Sequence, residues 1–212
     1  MQEIRKNLKE TYNKIAEHFD ATRKNPWPKV EQFIKKQQKD THLLDLGAGT
    51  GRHSISAKNH NLNPIAGDFS ISQLRKLKEK DKTIPLVLLD LTALPFRSDT
   101  FESIIYIAAI HHLETEKKRI NSLKETERIL KPQSPILISA WAHDQPRFKN
   151  KPADIHHTWD KKHPRFYHLF KESELKDISK KANLHIITSC REKDNIYVHS
   201  LKRKRTSGAN TT

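Results

Sequence analysis

Hydrophobic and polar positions change period along this chain. From Gln2 to Phe19 the apolar residues recur every three or four positions, which predicts an amphipathic helix. Pro26 and Pro28 interrupt that pattern. A second helix is predicted from Val30 to Gln38.

Beyond residue 40, short apolar runs alternate with segments of helical period. This alternation is typical of βαβ units and predicts the α/β class, with a seven-stranded, mostly parallel sheet that has helices on both faces. The last two strands are predicted to form an antiparallel hairpin. The predicted strands are Thr41–Leu46, Asn63–Asp68, Leu86–Leu89, Phe101–Ile110, Pro135–Trp141, His185–Cys190 and Asn195–Leu201.

The same pattern divides the chain into parts. Residues 1–201 are expected to form a single domain, with a helical cap over residues 1–40. Residues 142–164 are rich in polar residues and histidine, show no clear period and are interpreted as an inserted loop. Residues 202–212 are expected to be a disordered basic and polar tail.

Charge favours a polyanionic partner. The 212 residues contain 40 Lys+Arg against 25 Asp+Glu, a formal net charge of +15. Such an excess attracts polyanions through counterion release, so nucleic acid is the first candidate and an acidic protein the second. A generally lysine-rich surface is the alternative explanation.

Cysteine content and hydropathy restrict the class further. Cys190 is the single cysteine, which excludes an internal disulfide. No apolar run approaches the roughly 20 residues that span a bilayer, and the amino terminus is charged. We therefore expect a soluble, cytoplasmic protein. The histidines follow no spacing typical of metal ligands, so no metal is predicted.

The strongest local signal runs from Asp45 to Gly51, at the end of the first predicted strand. Gly47, Gly49 and Gly51 allow a tight turn that brings backbone N–H groups close to a ligand. Such a turn serves NAD, FAD or S-adenosylmethionine. Asp45 favours the last, because its carboxylate can accept from the cationic amino group of a methionyl ligand.

Two more acidic residues follow strand ends. Asp68, about 20 residues beyond the turn, suits the hydroxyls of a ribose. Asp90, which follows the third strand, can accept from an adenine amino group. Each aspartate alone could instead be a helix cap or turn residue; their repetition at successive strand ends favours the ligand.

These residues resemble the cofactor pattern of class I S-adenosylmethionine-dependent methyltransferases, which have a Rossmann-like fold. The resemblance covers residues 41–141 and implies S-adenosylmethionine as the cofactor. The cofactor-binding residues that it implies or that the strand ends suggest are Tyr12, Asp45, Gly47, Ala48, Gly49, Gly51, Asp68, Phe69, Asp90, Leu91 and Ala108.

Within that class, the chain resembles the tRNA wobble-uridine methyltransferases, which esterify the carboxylate of 5-carboxymethyluridine. The segments that carry this resemblance are Tyr12–Phe19, Thr22–Pro28, Ile110–His112, Trp141 and Arg165–Phe170. It implies an anticodon stem-loop as substrate and cytoplasmic tRNA modification as the role. It also implies a small zinc-containing activator protein, which we expect at the apolar sheet edge Leu86–Leu89.

Candidate catalytic residues are Arg23, as a clamp for the carboxylate or a phosphate, His112 and Trp141. Only one of His111 and His112 should line the pocket, because adjacent strand residues point to opposite faces. The candidate substrate-binding residues are Trp27, His111, Arg165, Tyr167 and His168. Each could instead be a core or surface residue.

Two other functions remain open. A small-molecule methyltransferase acting on a quinone or carboxylic acid would share the cofactor pattern, but it needs no broad basic surface. A non-catalytic RNA-binding protein on the same fold would not need the complete set of glycines and aspartates.

Overall fold

The structure is a computed structural model that describes residues 2–160 and 162–204. Its amino-terminal part holds three helices: α1 (Gln2–Lys14), α2 (Ala16–Thr22) and α3 (Pro28–Lys35). The single opening helix predicted from the apolar period is therefore divided at Ile15. Helix α3 begins two residues earlier than predicted, because Pro28 occupies the first turn, where its missing N–H costs nothing.

The remaining elements alternate between strands and helices, as the sequence predicted. In chain order they are β1 (His42–Leu46), α4 (Arg52–Asn59), β2 (Asn63–Asp68), α5 (Ile71–Lys80), β3 (Leu86–Leu88), β4 (Ser103–Ile107), α6 (Glu116–Ile129), β5 (Pro135–Trp141), β6 (Asp154–Trp159), β7 (His163–His168), α7 (Glu172–Lys181), β8 (Leu184–Glu192) and β9 (Asn195–Lys202). Short 3₁₀ turns lie at Ile110–His112 and Pro146–Phe148.

Seven strands form one sheet in the order β3-β2-β1-β4-β5-β9-β8. Strands β1 to β5 pair in parallel, while β9 is antiparallel to both of its neighbours. The predicted fold class, including the antiparallel carboxyl-terminal hairpin, is confirmed. The carboxyl ends of the parallel strands lie at one edge, where ligands bind in such sheets.

Both faces of the sheet are buried, which explains why the central strands consist mainly of apolar residues. Ile104 and Tyr106 of β4 pack into one core cluster with Leu123 of α6. The alternate residues of β4, Ile105 and Ile107, pack into a second cluster that includes residues of α3. The period of two thus sends successive side chains to opposite helix layers.

Residues 142–164 are not the irregular loop that we expected. They contain a 3₁₀ turn and strand β6, which pairs antiparallel with β7 in a separate two-stranded sheet, with Trp159 opposite His163. The burial of β6 alternates residue by residue. This hairpin extends from the carboxyl edge of the main sheet and forms one wall of the site described below.

Several other boundaries also differ from the predictions, by one to three residues. Strand β4 ends at Ile107 and not at Ile110, because Ala108 has a left-handed conformation with a φ of 51°. The tail begins after Lys202, which is the last residue of β9; its ammonium pairs with Asp99 at 2.8 Å and is buried. Residues 205–212 of the predicted tail lie outside the described residues.

No helix within the described ranges has the length and apolar character required to cross a membrane. The cytoplasmic location stays a prediction.

Candidate functional site

The turn after β1 depends on glycine for geometric reasons. Gly47 has a φ of +79°, and a Cβ there would lie 2.5 Å from the Cβ of Ala109. Gly51 has a φ of +81°, and a Cβ there would meet the Leu77 side chain at 2.3 Å. Gly47 borders a cleft at the carboxyl edge of the sheet, whereas Gly51 allows α5 to pack beneath the turn.

We name this cleft the glycine cleft. It contains nearly all of the predicted cofactor-binding residues, together with several that the sequence did not single out. Among its lining residues are Arg5, Tyr12, Phe19, Arg23, Gly47, Ala48, Gly49, Arg52, Asp68, Phe69, Asp90, Leu91, Ala108 and His112.

Asp45 lies beneath the turn and does not border the cleft. Its Oδ2 accepts a hydrogen bond from the Ser54 hydroxyl at 2.6 Å, which ties β1 to α4. Burial raises the pKa of its carboxyl to about 6, with the Ser54 bond acting in the opposite direction. The predicted contact with a cationic amino group stays a prediction.

Asp68 connects the end of β2 to the turn. Its Oδ2 accepts from the backbone N–H of Gly49 at 2.9 Å, and its Oδ1 accepts from that of Ser70 at 2.8 Å. Burial raises the pKa of Asp68 to about 6, although these N–H groups stabilise its ionised form. The carboxylate borders the cleft and retains lone pairs for two donors.

Asp90 lies beyond the end of β3. Its Oδ1 accepts from the N–H and the hydroxyl of Thr92, both at 2.9 Å. Its Oδ2 forms an ion pair with Arg5 of α1. The pair brings the amino-terminal helix over the glycine cleft, a contact that nothing in the local sequence predicted.

A chain of hydrogen bonds covers the cleft from the other side. The Phe166 carbonyl can only accept, so Nδ1 of His112, 2.8 Å away, donates to it. Burial lowers the pKa of His112 to about 3, which makes the ring neutral. Its Nε2 therefore accepts from the Tyr12 hydroxyl at 2.7 Å, and Tyr12 accepts from Nη1 of Arg165 at 3.2 Å.

The premise that His111 and His112 are strand residues was wrong, and each of them borders a different cavity. His111 and His112 belong to a 3₁₀ turn and not to a strand, so the alternation of faces does not apply. His112 borders the glycine cleft, while His111 borders an adjoining pocket. The Nδ1 of His111 accepts from the Trp141 backbone N–H at 3.1 Å, and burial lowers its pKa well below the ordinary value.

We name the adjoining pocket the aromatic pocket. Trp141 and Tyr167 stack in it with ring centroids 4.3 Å apart and planes at 13°. The β6–β7 hairpin adds Trp159, whose indole N–H donates to Nδ1 of His18 at 2.9 Å. Its lining includes Tyr12, Arg23, Trp27, Arg52, Ala108, His111, Trp141, Arg147, Trp159, Arg165 and Tyr167.

Arginines surround these rings. The guanidinium carbon of Arg23 lies 5.1 Å from the centre of the Trp159 ring, and that of Arg165 lies 4.9 Å from it. Arg52 lies over Trp27 at 4.7 Å. Burial, together with the nearby Arg23, lowers the pKa of Arg52 to about 10. Asp160, which contacts Nδ1 of His18 at 2.6 Å, also borders the pocket, so the pocket is aromatic and has an excess of positive charge.

His168 does not border either cavity. Its Nδ1 contacts Asp154 and its Nε2 contacts Glu174, each at 2.6 Å. Along β7, Arg165 and Tyr167 face the aromatic pocket and His168 faces the other way, because side chains alternate along a strand. The predicted contact of His168 with a substrate finds no support in this geometry.

Within the described ranges, no three His, Cys, Asp or Glu residues are grouped as a metal ion would require.

The two cavities adjoin. Tyr12, Phe19, Arg23, Arg52 and Ala108 border both of them. A ligand in the glycine cleft and a planar, anionic molecule in the aromatic pocket would therefore meet near Ala108. This is the arrangement that transfer of a group between two bound molecules requires.

Residues 44–138 match the family described as Methyltransferase domain. The chain is 34% identical to the tRNA (carboxymethyluridine(34)-5-O)-methyltransferase ALKBH8 of Mus musculus, over 69% of this chain and 21% of that protein. It is 28% identical to the tRNA (carboxymethyluridine(34)-5-O)-methyltransferase of Schizosaccharomyces pombe, over 89% of this chain and 93% of that protein. The chain thus spans about a fifth of the length of the mouse relative.

Solved structures show the same fold. A Haloferax volcanii putative methyltransferase complex with the Trm112 methyltransferase activator matches with a TM-score of 0.79 and 13% identity, over 95% of this chain and 100% of that one. Burkholderia thailandensis 1,6-didemethyltoxoflavin-N1-methyltransferase, solved with S-adenosylhomocysteine, matches with a TM-score of 0.76 and 16% identity, over 96% and 90%.

The sheet order and the glycine cleft define a class I S-adenosylmethionine-dependent methyltransferase. Within that class, the chain is similar to tRNA carboxymethyluridine methyltransferases of other organisms. Its cleft fits S-adenosylmethionine: Gly47 and Gly49 leave room for close approach, and the carboxylates of Asp68 and Asp90 can accept from ribose hydroxyls and an adenine amino group.

Proposed function

We propose that this protein methylates the carboxylate of 5-carboxymethyluridine at the wobble position of tRNA and forms the methyl ester. The observation that carries the proposal is the aromatic pocket next to the glycine cleft. It offers rings for stacking a base and three arginines, Arg23, Arg52 and Arg165, that form no ion pair with a carboxylate in residues 2–160 and 162–204. Unpaired anticodon bases are recognised by such stacking.

The chemistry of the site agrees with this acceptor. A carboxylic acid with a pKa of about 4 is already ionised at neutral pH, so its methylation needs no general base. Bound S-adenosylmethionine supplies an electrophilic methyl group on a sulfonium. A carboxylate oxygen forms the new bond to the methyl carbon as the carbon–sulfur bond breaks, and no proton moves. His112, with its pKa lowered to about 3 by burial, is a neutral positioning group.

The residues of the two cavities then have distinct roles. Asp68 and Asp90 hold the cofactor, while Tyr12 lies between cofactor and acceptor through its bonds to His112 and Arg165. Trp27 and Trp141 offer half-exposed rings to the wobble base or its neighbours. The positive sulfonium and the negative carboxylate neutralise each other in the transition state. Water stabilises the separated charges better than the transition state, so exclusion of water from the site favours the reaction.

The net charge of +15 supports a tRNA partner, since each phosphate contact releases counterions. We also propose that a small zinc-containing activator protein pairs with β3. This strand lies at the edge of the sheet, and its Leu88 is 52% exposed. An apolar edge of this kind suits strand addition by a partner.

The proposal is tested by methyl transfer from labelled S-adenosylmethionine to an anticodon stem-loop that carries 5-carboxymethyluridine, with and without the activator. The matched control is the same stem-loop with unmodified uridine. We expect label only in the first RNA, in a nucleoside that mild base hydrolyses back to the acid. Labelling of small carboxylic acids or quinones, with none in RNA, would replace this proposal by small-molecule methylation.

A further inference from the structure

Arg165 is an unusual member of the aromatic pocket because it is buried. Its exposed fraction is 4%, and it projects from β7 between aromatic side chains. Its guanidinium carbon lies 4.9 Å from the centre of the Trp159 ring, 5.1 Å from that of Tyr167 and 5.6 Å from that of Tyr12. Such rings attract a cation but do not neutralise it.

The charge of Arg165 lacks a counter-ion in the described part of the chain. Its Nη1 donates to the Tyr12 hydroxyl at 3.2 Å, and its buried Nε has no hydrogen-bond partner. No carboxylate of residues 2–160 or 162–204 forms an ion pair with it. A buried charge without a partner is strongly unfavourable, and an arginine cannot lose its proton to escape that cost.

A second arginine of the pocket, Arg23, adds to the positive charge near Arg165. Arg23 lies 5.1 Å from the same Trp159 ring, so two guanidinium groups face one indole. Arg23 differs from Arg165 in its setting: it follows the end of α2, is only half-buried, and donates through Nη1 to the neighbouring Thr22 carbonyl at 3.3 Å. Solvent can screen Arg23, whereas it cannot screen Arg165.

The geometry points to Arg165, and not Arg23, as the residue that binds the anionic group of the acceptor, a carboxylate on a planar ring. This inference rests on the proposed function and names the subsite within it. Arg165 borders the aromatic pocket, and its guanidinium fork offers charge-assisted hydrogen bonds to the carboxylate, whose charge supplies the missing counter-ion. Arg23, at the opening, is left to contact the phosphate backbone.

A consequence for the reaction follows from the charges. The acceptor enters as an anion and leaves as a neutral ester, so its attraction to Arg165 is lost in the step that forms the product. Arg165 therefore favours binding of the acid and release of the ester. Because the carboxylate charge is already reduced in the transition state, removing Arg165 should raise KM for the acceptor more than it lowers kcat.

The experiment compares binding of three stem-loops that carry the acid, the methyl ester or the amide at the wobble uridine, with S-adenosylhomocysteine present. A second arm replaces RNA by phenylacetate, methyl phenylacetate and phenylacetamide, observed through the tryptophan indole N–H signals. The variants are Arg165→Met, Arg165→Gln and, as the matched control, Arg23→Gln. Thermal unfolding of each unliganded variant accompanies the binding data.

We expect the unaltered protein to prefer the acid over the ester and amide by about tenfold or more, as for a lost charged hydrogen bond. Both Arg165 variants should lose that preference. Arg23→Gln should keep it and should weaken the binding of all three stem-loops to the same extent. Arg165→Met should unfold at the same or a higher temperature, because it removes an unpaired buried charge. If Arg165 had only a structural role, Arg165→Met would unfold at a lower temperature instead.

Two results would overturn the inference: an acid preference that persists in Arg165→Met, or no acid preference in either arm of the unaltered protein. Failure of the proposed function gives a different result. In that case no stem-loop would bind, but the protein would still prefer phenylacetate over its ester and amide, and the Arg165 variants would lose this preference. The role of Arg165 in binding a carboxylate would then be supported, and the proposal of a tRNA substrate would be wrong.

Discussion

Asp68 offers the sharpest quantitative prediction, because its carboxylate borders the cofactor cleft and titrates near neutrality. Burial raises its pKa to about 6. Ribose hydroxyls donate to the ionised form, so the cofactor binds that form and lowers its pKa. The affinity for the cofactor should be constant above about pH 7. It should decrease about tenfold per pH unit below about pH 6, where Asp68 must release a proton before the cofactor binds.

Asp68→Asn should weaken binding at pH 8 by about 1.5–3 kcal/mol, the usual worth of a hydrogen bond to a charged group, and remove most of the pH dependence. The assay is calorimetric titration with S-adenosylhomocysteine from pH 8 to 5. Asp45→Asn is the matched control, because Asp45 is also buried and has a similarly raised pKa but does not border the cleft. The reasoning is refuted if Asp45→Asn, and not Asp68→Asn, abolishes the pH dependence.

Three further predictions concern His112, Gly47 and the sheet edge. Burial lowers the pKa of His112 to about 3, so the single-turnover rate of methyl transfer at saturating cofactor should not vary with pH above about pH 7. A change in that rate near pH 6.5 that His112→Asn removes would show that His112 acts as a base instead. Gly47→Ala should lower the free energy of unfolding by about 1–3 kcal/mol, through its φ of +79° and its clash with Ala109; an unchanged denaturation midpoint would contradict this. Leu88→Asp should weaken pull-down of the activator protein, whereas Ile187→Asp, 47% exposed on β8 at the opposite edge, should not.

The fold and the cofactor cleft followed from local sequence because their signals are local. Strands β1 and β4 are mainly apolar since both faces are buried, and the turn after β1 needs glycine at positions of positive φ. The end of β4 was harder to predict from the sequence. Ala108 is left-handed, and its N–H donates to Ser139 of β5, a distant contact that no neighbour of Ala108 signals.

The hairpin of β6 and β7 had a signal that was too weak to recognise. Ile155, His157 and Trp159 alternate with more exposed residues, which is the period of a strand. Histidine is not distinctly apolar, so the alternation reads as a polar loop. Because of this error, Trp159 was not predicted to line the aromatic pocket. Its contacts with His18 and Arg23 join segments far apart in sequence, which only the tertiary structure brings together.

The position of β9 sets an order for the assembly of the sheet. This strand lies between β5 and β8 and is hydrogen-bonded to both. Strand β8 leaves the ribosome first, yet it reaches the sheet only through β9, which is synthesised after it. During translation β5 must therefore expose an unpaired edge until residues 195–202 emerge, and this interval is when the nascent chain is most open to chaperones and to aggregation.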